Sequence, residues 1–379
     1  MPGEERGNAR IVHTDCRFYR GSAPCAPHKA TGVLCAECEQ YQPIGERILV
    51  VKLGAMGDVL RTTALLPDIC AAHDRAAITW IVRAESLEIV KRHPLVHRAI
   101  TTDAAPAILA TRRFDAVYAL DCDEEGLAFA RLAVAPLRRG YRAGRDGTAV
   151  GVEPGGDDTI FKLGIFDDLK RANRRSYLEL LLAAAGLSYS GARPTIVTDP
   201  LVAARVASEL AALPRPLIGL SPHAAPRWAH KRWTEQHAAT LALMLIDRGF
   251  GTLLFGEGAD YEWNAALAAH LGPAAHAFRS DRDLGRLFAG ITNVDALVTV
   301  DSIAMHGAWA LGIPVVALFG PTSSHEIDLG PADRKLVPDL PCLSCYLPDC
   351  SIDPHCMQLL TPDRVLGALL ERLAVPVEV

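Results

Sequence analysis

Ile48-Leu49-Val50-Val51-Lys52-Leu53-Gly54-Ala55-Met56-Gly57-Asp58 decides the fold. A short apolar run rich in Val and Ile ends at two glycines, and an acidic residue follows where helix-forming sequence begins. A strand buried on both faces reads as an unbroken apolar run, so the pattern is that of a parallel strand feeding a helix. The glycines permit a tight turn, which delivers Asp58 to the carboxyl edge of a sheet. Ligands of open α/β folds bind at that edge.

Further strand-like runs follow at residues 77–82 and 116–120, with helical stretches between them, and imply a first α/β domain ending near Pro194. A second series then starts over. Strands are expected at 217–220, 252–255, 296–300 and 315–319, and helices at 234–247, 261–270, 284–289 and 303–311. The expected architecture is α/β: two successive doubly wound domains, 46–195 and 196–379, behind an arm at 1–45. The Ala-rich stretch 180–185 favours helix by propensity, and there is no short-period repeat or low-complexity tract.

A chain of 379 residues, 50% hydrophobic and 6% aromatic, is long enough for two domains with cores of their own. A formal charge of -5 lacks the basic excess that neutralising a nucleic-acid backbone needs. The first ten residues are charged and contain no apolar run, and no later stretch approaches the roughly 18–20 apolar residues of a membrane span. The expectation is a cytoplasmic enzyme.

At Asp58 two readings stand side by side. A carboxylate there can accept a proton from a substrate hydroxyl, and Asp is equally a favoured first-turn residue at the positive end of a helix dipole. In the second series, the loop Ser221-Pro222-His223-Ala224-Ala225-Pro226-Arg227-Trp228-Ala229-His230-Lys231-Arg232-Trp233 carries three cations ahead of a helix, a setting suited to phosphate. Two more strand ends, Asp301-Ser302 before a helix bearing His306 and the turn Gly320-Pro321-Thr322-Ser323, present phosphate-compatible groups at the same edge. Singly, each reads as a cap, a half-buried histidine or a plain turn; three convergent loops read as a diphosphate cradle. Arginines at 138, 139, 142 and 145, and the basic run 170–175, either face an anionic acceptor or form an ordinary solvated surface.

Gly54-Ala55-Met56-Gly57-Asp58 with Pro67 downstream, His230-Lys231-Arg232-Trp233, residues 301–306 and Gly320-Pro321-Thr322 together resemble the ADP-heptose:lipopolysaccharide heptosyltransferases, glycosyltransferase family 9. The resemblance runs from Arg47 to the carboxyl end and leaves the cysteine-rich arm outside. It implies two Rossmann-like lobes facing across a cleft, the GT-B architecture, with acceptor held by the first and nucleotide sugar by the second. By this resemblance Asp58 is the catalytic carboxylate, Lys231 meets the donor diphosphate, Asp301 lies near the donor sugar and Ser302 receives phosphate. Arg232, His306, Gly320 and Thr322 complete the donor site, and Asp260, or second Glu262, holds the ribose. Gly57, Arg142 and Arg145 are the acceptor-side candidates. The implied reaction is an inverting transfer of heptose, or a related sugar, from ADP-heptose to a hydroxyl acceptor such as an anionic glycolipid. It needs no catalytic metal, serves lipopolysaccharide or surface glycan assembly, and takes place at the inner membrane face. One departure bears on the donor turn: the family has Gly after the Asp-Ser or Asp-Thr pair, whereas Ile303 stands here and resists positive φ.

Eight of the ten cysteines form two sets, Cys16, Cys25, Cys35 and Cys38 near the start and Cys342, Cys345, Cys350 and Cys356 near the end; Cys70 and Cys122 stand alone. In a reducing compartment grouped thiols are metal ligands more often than disulfides, so structural zinc or iron is expected at each set, with His28 and His355 as substitute ligands. Three competing readings remain open: a non-catalytic nucleotide-sugar or redox-responsive regulator, a transferase for another nucleotide sugar, and a nucleotide-sugar epimerase.

Overall fold

The computed structural model describes residues 11–331, 333–347 and 350–374. Among these described residues, twelve strands fall into two six-stranded sheets. The first comprises β1 (Arg47–Val51), β2 (Ala77–Val82), β3 (Val96–Thr101), β4 (Ala116–Ala119), β5 (Leu137–Ala143) and β6 (Ala149–Val152), in the order β3-β2-β1-β4-β5-β6. The second comprises β7 (Leu217–Ser221), β8 (Gly251–Phe255), β9 (Ala275–Phe278), β10 (Ala296–Val300), β11 (Val315–Leu318) and β12 (Arg334–Leu336), in the order β12-β11-β10-β7-β8-β9. Counted from its own first strand, each sheet has the order 3-2-1-4-5-6 of a dinucleotide-binding fold, so the order of winding reverses between β1 and β4 and again between β7 and β10. Every pairing is parallel except β5 with β6.

The apolar runs become central strands because they are covered on both sides. β2, β4, β7, β8, β10 and β11 are buried along their whole length. Trp80 and Tyr118 are among the largest side chains excluded from solvent; each fully buried side chain of the Val, Leu, Ile or Phe kind contributes about 1.5–3 kcal/mol. Both sheets start with the same device. Asp115 accepts the amide of Arg47 at 2.7 Å and Asp295 that of Leu217 at 2.6 Å, so an acid just ahead of the fourth strand pins the first.

The elements seen in the sequence appear with their ends moved by a residue or two, and five strands were not anticipated: β3, β5, β6, β9 and β12. Most of these lie at sheet edges, where half-burial dilutes the apolar signal. β5 carries Arg138, Arg139 and Arg142, so part of the arginine cluster expected on helix or loop is strand. The two sheets are joined by a single cluster of buried apolar side chains, in which Val59 and Leu60 of the helix Met56–Thr62 pack with Ala304 and Met305 of the helix Ile303–Leu311. That contact brings the carboxyl edges of the two sheets together.

Candidate active site

At the first reversal, β1 is followed by Lys52 and β4 by Asp121. Lys52 is 3% exposed, and its ammonium pairs with Asp121, whose other oxygen accepts the amides of Leu53 and, at 3.0 Å, Gly54. A Cβ at Gly54 would stand 3.1 Å from the Lys52 Nζ and 3.2 Å from Asp121, so a side chain there would crowd this ion pair. Burial alone would push Lys52 down, but Tyr177, Asp121 and Asp58 together hold it well above the ordinary lysine range, and it stays charged.

The turn leads into the helix Met56–Thr62, with Asp58 in its first turn. Its side chain meets the Arg61 guanidinium at 2.6 Å, and Arg61 stacks 3.6 Å from the Tyr177 ring centroid. No side chain caps this helix, so the carboxylate faces Arg61 instead of satisfying helix amides. Burial pushes the Asp58 carboxyl up; Arg61, Lys52 and His306 outweigh it and hold it below the usual carboxylate range. Asp58 is therefore an ionised acceptor at neutral pH.

At the second reversal, Asp301 follows β10 and Lys231 lies in the loop after β7. Lys231 Nζ donates to Asp301 Oδ2 at 2.7 Å, and the Thr322 hydroxyl, from the loop after β11, donates to the same oxygen at 2.8 Å. Three strand ends thus converge on one carboxylate. Burial raises the Asp301 carboxyl, but Lys231 and His306 bring it below its ordinary range. The helix Ile303–Leu311 starts at the next turn with Ser302 extended at φ -149° and no side-chain cap, which leaves its first amides facing this edge. Ile303 is the first helical residue and is not among the positive-φ positions; the departure from glycine costs no backbone strain. His306, on the same helix, is pushed down to about 4 by burial, with Arg61 adding to the effect, and is neutral at pH 7.

Arg232 is drawn away from Asp301. Its guanidinium forks onto both oxygens of Asp260, at 3.2 Å for one of them, and donates to His223 Nδ1 at 2.9 Å. His223 Nε2 in turn lies 3.3 Å from the Asn264 amide oxygen. Asp260 opens the helix Ala259–Leu271, and Glu262, in its first turn, is exposed. Gly320 takes the Ser344 amide on its carbonyl at 3.0 Å. The side chain of Arg227 lies outside the described residues.

The two clusters confront each other. A Cβ on Gly57 would lie 2.8 Å from His306 Cδ2, and the charges of Asp58 and Arg61 act on His306 while those of Asp301 and Glu326 act on Arg61. Lys52, Arg61, Asp121 and Tyr177 were not singled out in the sequence. A lysine terminating an otherwise apolar strand and an aspartate directly after another were the available signals. Arg142 and Arg145 are exposed on β5 and the loop after it, whereas Arg138 holds the carbonyls of Ala130 and Ala133 at 2.7 and 2.6 Å. From the basic run, Lys170 lies 3.7 Å over the Tyr346 ring, and Arg175 pairs with Asp157 and Glu179 at 2.8 and 2.7 Å.

The carboxyl-terminal cysteines adjoin the loops after β7 and β11. Cys342, Cys345, Cys350 and Cys356 line one small cavity with His230 and Gly320. Burial pushes the Cys356 thiol up to about 11, and its three fellow cysteines add to the shift. Among the described residues, no three His, Cys, Asp or Glu side chains stand close enough to clasp an ion as they are.

The fold agrees with the comparisons. Residues 175–347 match the profile of glycosyltransferase family 9 (heptosyltransferase). The chain carries a glycosyltransferase family 9 domain. Lipopolysaccharide heptosyltransferase 2 of Escherichia coli K12 is 26% identical over 307 residues, covering 73% of this chain and 83% of that protein. Among solved structures, a glycosyltransferase family 9 protein from Veillonella parvula superposes with a TM-score of 0.67 at 20% identity, covering 86% of this chain and 97% of the other. The E. coli ADP-heptose lps heptosyltransferase II superposes with a TM-score of 0.64 at 23% identity, covering 86% and 98%. The chain has the two-sheet GT-B-like fold of those structures. No helix among its described residues is long and apolar enough to cross a membrane.

Proposed function

We propose that the protein transfers a heptose from ADP-heptose to a hydroxyl of a lipopolysaccharide-type acceptor, with inversion at the anomeric carbon. The observation that supports this reading best is the confrontation of an ionised Asp58 with the Lys231–Asp301–Thr322 cluster across the helix contact at Gly57. Asp58 takes the proton of the acceptor hydroxyl as that oxygen forms its bond to the anomeric carbon. The bond from that carbon to the diphosphate oxygen breaks, and ADP leaves with the electron pair. Lys231 exchanges Asp301 for the leaving phosphate, and the unbonded amides at the start of the helix Ile303–Leu311 meet the same charge. Such preorganised donors need no reorganisation as charge develops. Lys52 and Arg61 keep Asp58 ionised and give the acceptor side of the crevice a positive field suited to an anionic glycolipid, with Arg142 and Arg145 as outlying acceptor contacts. Asp260 and Glu262, at the end of β8, are the ribose candidates, and Asp260 reaches that role by releasing one arm of Arg232. Acting on such an acceptor, the protein would work at the cytoplasmic face of the inner membrane.

The four carboxyl-terminal cysteines fit a structural thiophilic ion, zinc or iron. The four residues share one cavity wall, and thiolates grouped in this way suit a shared thiophilic cation. Cys342, Cys345, Cys350 and Cys356 would hold it, and the ion would brace the loop at Gly320 from behind.

Thermal-shift screening with ADP-, UDP- and GDP-sugars tests the donor, since a ligand that binds only the folded state raises stability by mass action. ADP-heptose should give the largest shift, and mass spectrometry of the acceptor should then show one added heptose. A larger shift with a UDP- or GDP-sugar, or hydrolysis without transfer, overturns the reading.

A further inference from the structure

The amino-terminal arm is folded although it has almost nothing to fold around. Its two ends are stitched together: Cys16 bridges Pro43, the Arg17 amide reaches the Gln42 carbonyl at 2.8 Å, and the Ile44 amide reaches Asp15 at 2.8 Å. Between the ends lie the short helix Ala26–Thr31 and a turn of 3-10 helix at Cys35–Glu37. Over residues 11–46, Pro27 is the one buried residue, while Ile11, Val12, Tyr19 and Leu34 are 60, 57, 41 and 39% exposed. Ordering a backbone costs on the order of 1–2 kcal/mol per residue. A segment this small with no apolar core cannot offset that by burial and needs a covalent or metal staple.

At the centre of the arm is a cavity of about 230 Å³ whose wall includes all four sulfur-bearing residues, Cys16, Cys25, Cys35 and Cys38. Each is set by its own piece of backbone. The Cys38 amide turns back onto the Cys35 carbonyl at 3.3 Å, Cys25 caps the amino end of the helix with its carbonyl taking the Lys29 amide at 3.0 Å, and Cys16 sits in the closing bridge. His28 Nδ1 lies 2.8 Å from the Val33 carbonyl and fixes the ring against the same wall. All four cysteines are free thiols and half-buried. They line the cavity without meeting at a point.

We propose that residues 11–46 form a metal-nucleated module in which the thiolates of Cys16, Cys25, Cys35 and Cys38 hold one tetrahedral thiophilic ion of the zinc type. The position of the arm makes this site structural and separate from sugar transfer. Arg17 donates to the carbonyls of Ala76 and Pro94 at 3.5 and 3.0 Å, and the Gly45 amide to that of Arg75 at 3.1 Å. Those carbonyls immediately precede β2 and β3, so the arm docks on the amino-terminal edge of the first sheet. Lys52, Asp58 and Asp121 lie at the carboxyl-terminal edge, a full strand length away, roughly 17–20 Å. The proposal stands whether or not the donor is ADP-heptose.

The test uses the full chain purified without added metal. Replacing Cys35→Ser together with Cys38→Ser should lower the bound metal by one equivalent, accelerate tryptic cleavage at Arg17, Arg20 and Lys29, and leave ADP binding unchanged. Cys342→Ser with Cys345→Ser should leave the arm resistant to trypsin. On the unmodified protein, where misfolding of a variant cannot intervene, the four arm thiols should resist alkylation relative to the exposed Cys122 until a chelator is added. Unchanged metal content in the Cys35/Cys38 variant overturns the proposal. So does alkylation of the arm thiols as fast as Cys122 before chelation, or a non-reduced mass short by the hydrogens of two disulfides.

Discussion

Replacing Asp58→Asn separates base catalysis from donor binding. The substitution keeps the shape of the side chain and removes the proton acceptor, so turnover should fall by about 10²–10⁴, the usual contribution of a positioned general base. Donor affinity should stay within about twofold, because Asp58 belongs to the first sheet and the Lys231–Asp301–Thr322 cluster to the second. Stability should change modestly. The Arg61–Asp58 pair spans 2.6 Å with side chains 11% and 34% exposed, between the surface case of about 0–1 kcal/mol and the buried case of about 3–5 kcal/mol. Asp301 and Glu326 still act on Arg61 after the change, so a loss of about 1–2 kcal/mol is expected. The assay is kcat with saturating ADP-heptose, ADP affinity by calorimetry, and a urea midpoint on the same preparation. Near-normal kcat removes Asp58 from the base role. An equal loss of kcat and ADP affinity refutes the division of labour between the lobes.

Lys231→Met should weaken ADP binding by about 10–100-fold, the value of a charge-assisted hydrogen bond, and a calorimetric Kd within twofold of the parent would sink the diphosphate role. Gly57→Ala should cost about 1–3 kcal/mol and reduce turnover, because the new methyl would sit 2.8 Å from His306 Cδ2 at the contact between the lobes; an unchanged melting temperature would show that the contact yields freely. The pH dependence has two parts. His93, His97 and His306 are each held near 4, so the unfolded chain takes up protons below pH 6.5 that the folded chain refuses. Stability should fall as pH drops from 6.5 towards 4, by up to about 1.4 kcal/mol per unit per histidine, and a flat urea midpoint between pH 7.5 and 5 would contradict it. Asp58, being lowered, loses its charge only below the usual carboxylate range. The pH profile of kcat should show no acid limb from this group above about pH 4, and a limb near pH 6 that His306→Gln erased would contradict the lowered value of that histidine.

The alternation of apolar runs with helical stretches was sufficient to specify two doubly wound units, because strands buried on both faces have to be continuously apolar whatever their neighbours are. The glycine turn before Asp58 and the polar ends of the strands before Lys231, Asp301 and Thr322 were legible for the same local reason: a ligand edge needs turns and charges directly after strands. Half-buried strands were not, neither at the edges nor at β5 with its arginines, since their composition is mixed. What only the tertiary structure decided is partnership. Nothing in the neighbourhood of Lys52 says that Asp121, 69 residues on, neutralises it, or that Asp58 meets Arg61 instead of capping its helix. The choice of Asp260 over Asp301 as the partner of Arg232, and the meeting of Gly57 with His306, are equally non-local. Sequence periodicity encodes which side chains leave water; which charges then find one another depends on how two sheets pack, and that is settled by contacts between residues far apart in the chain.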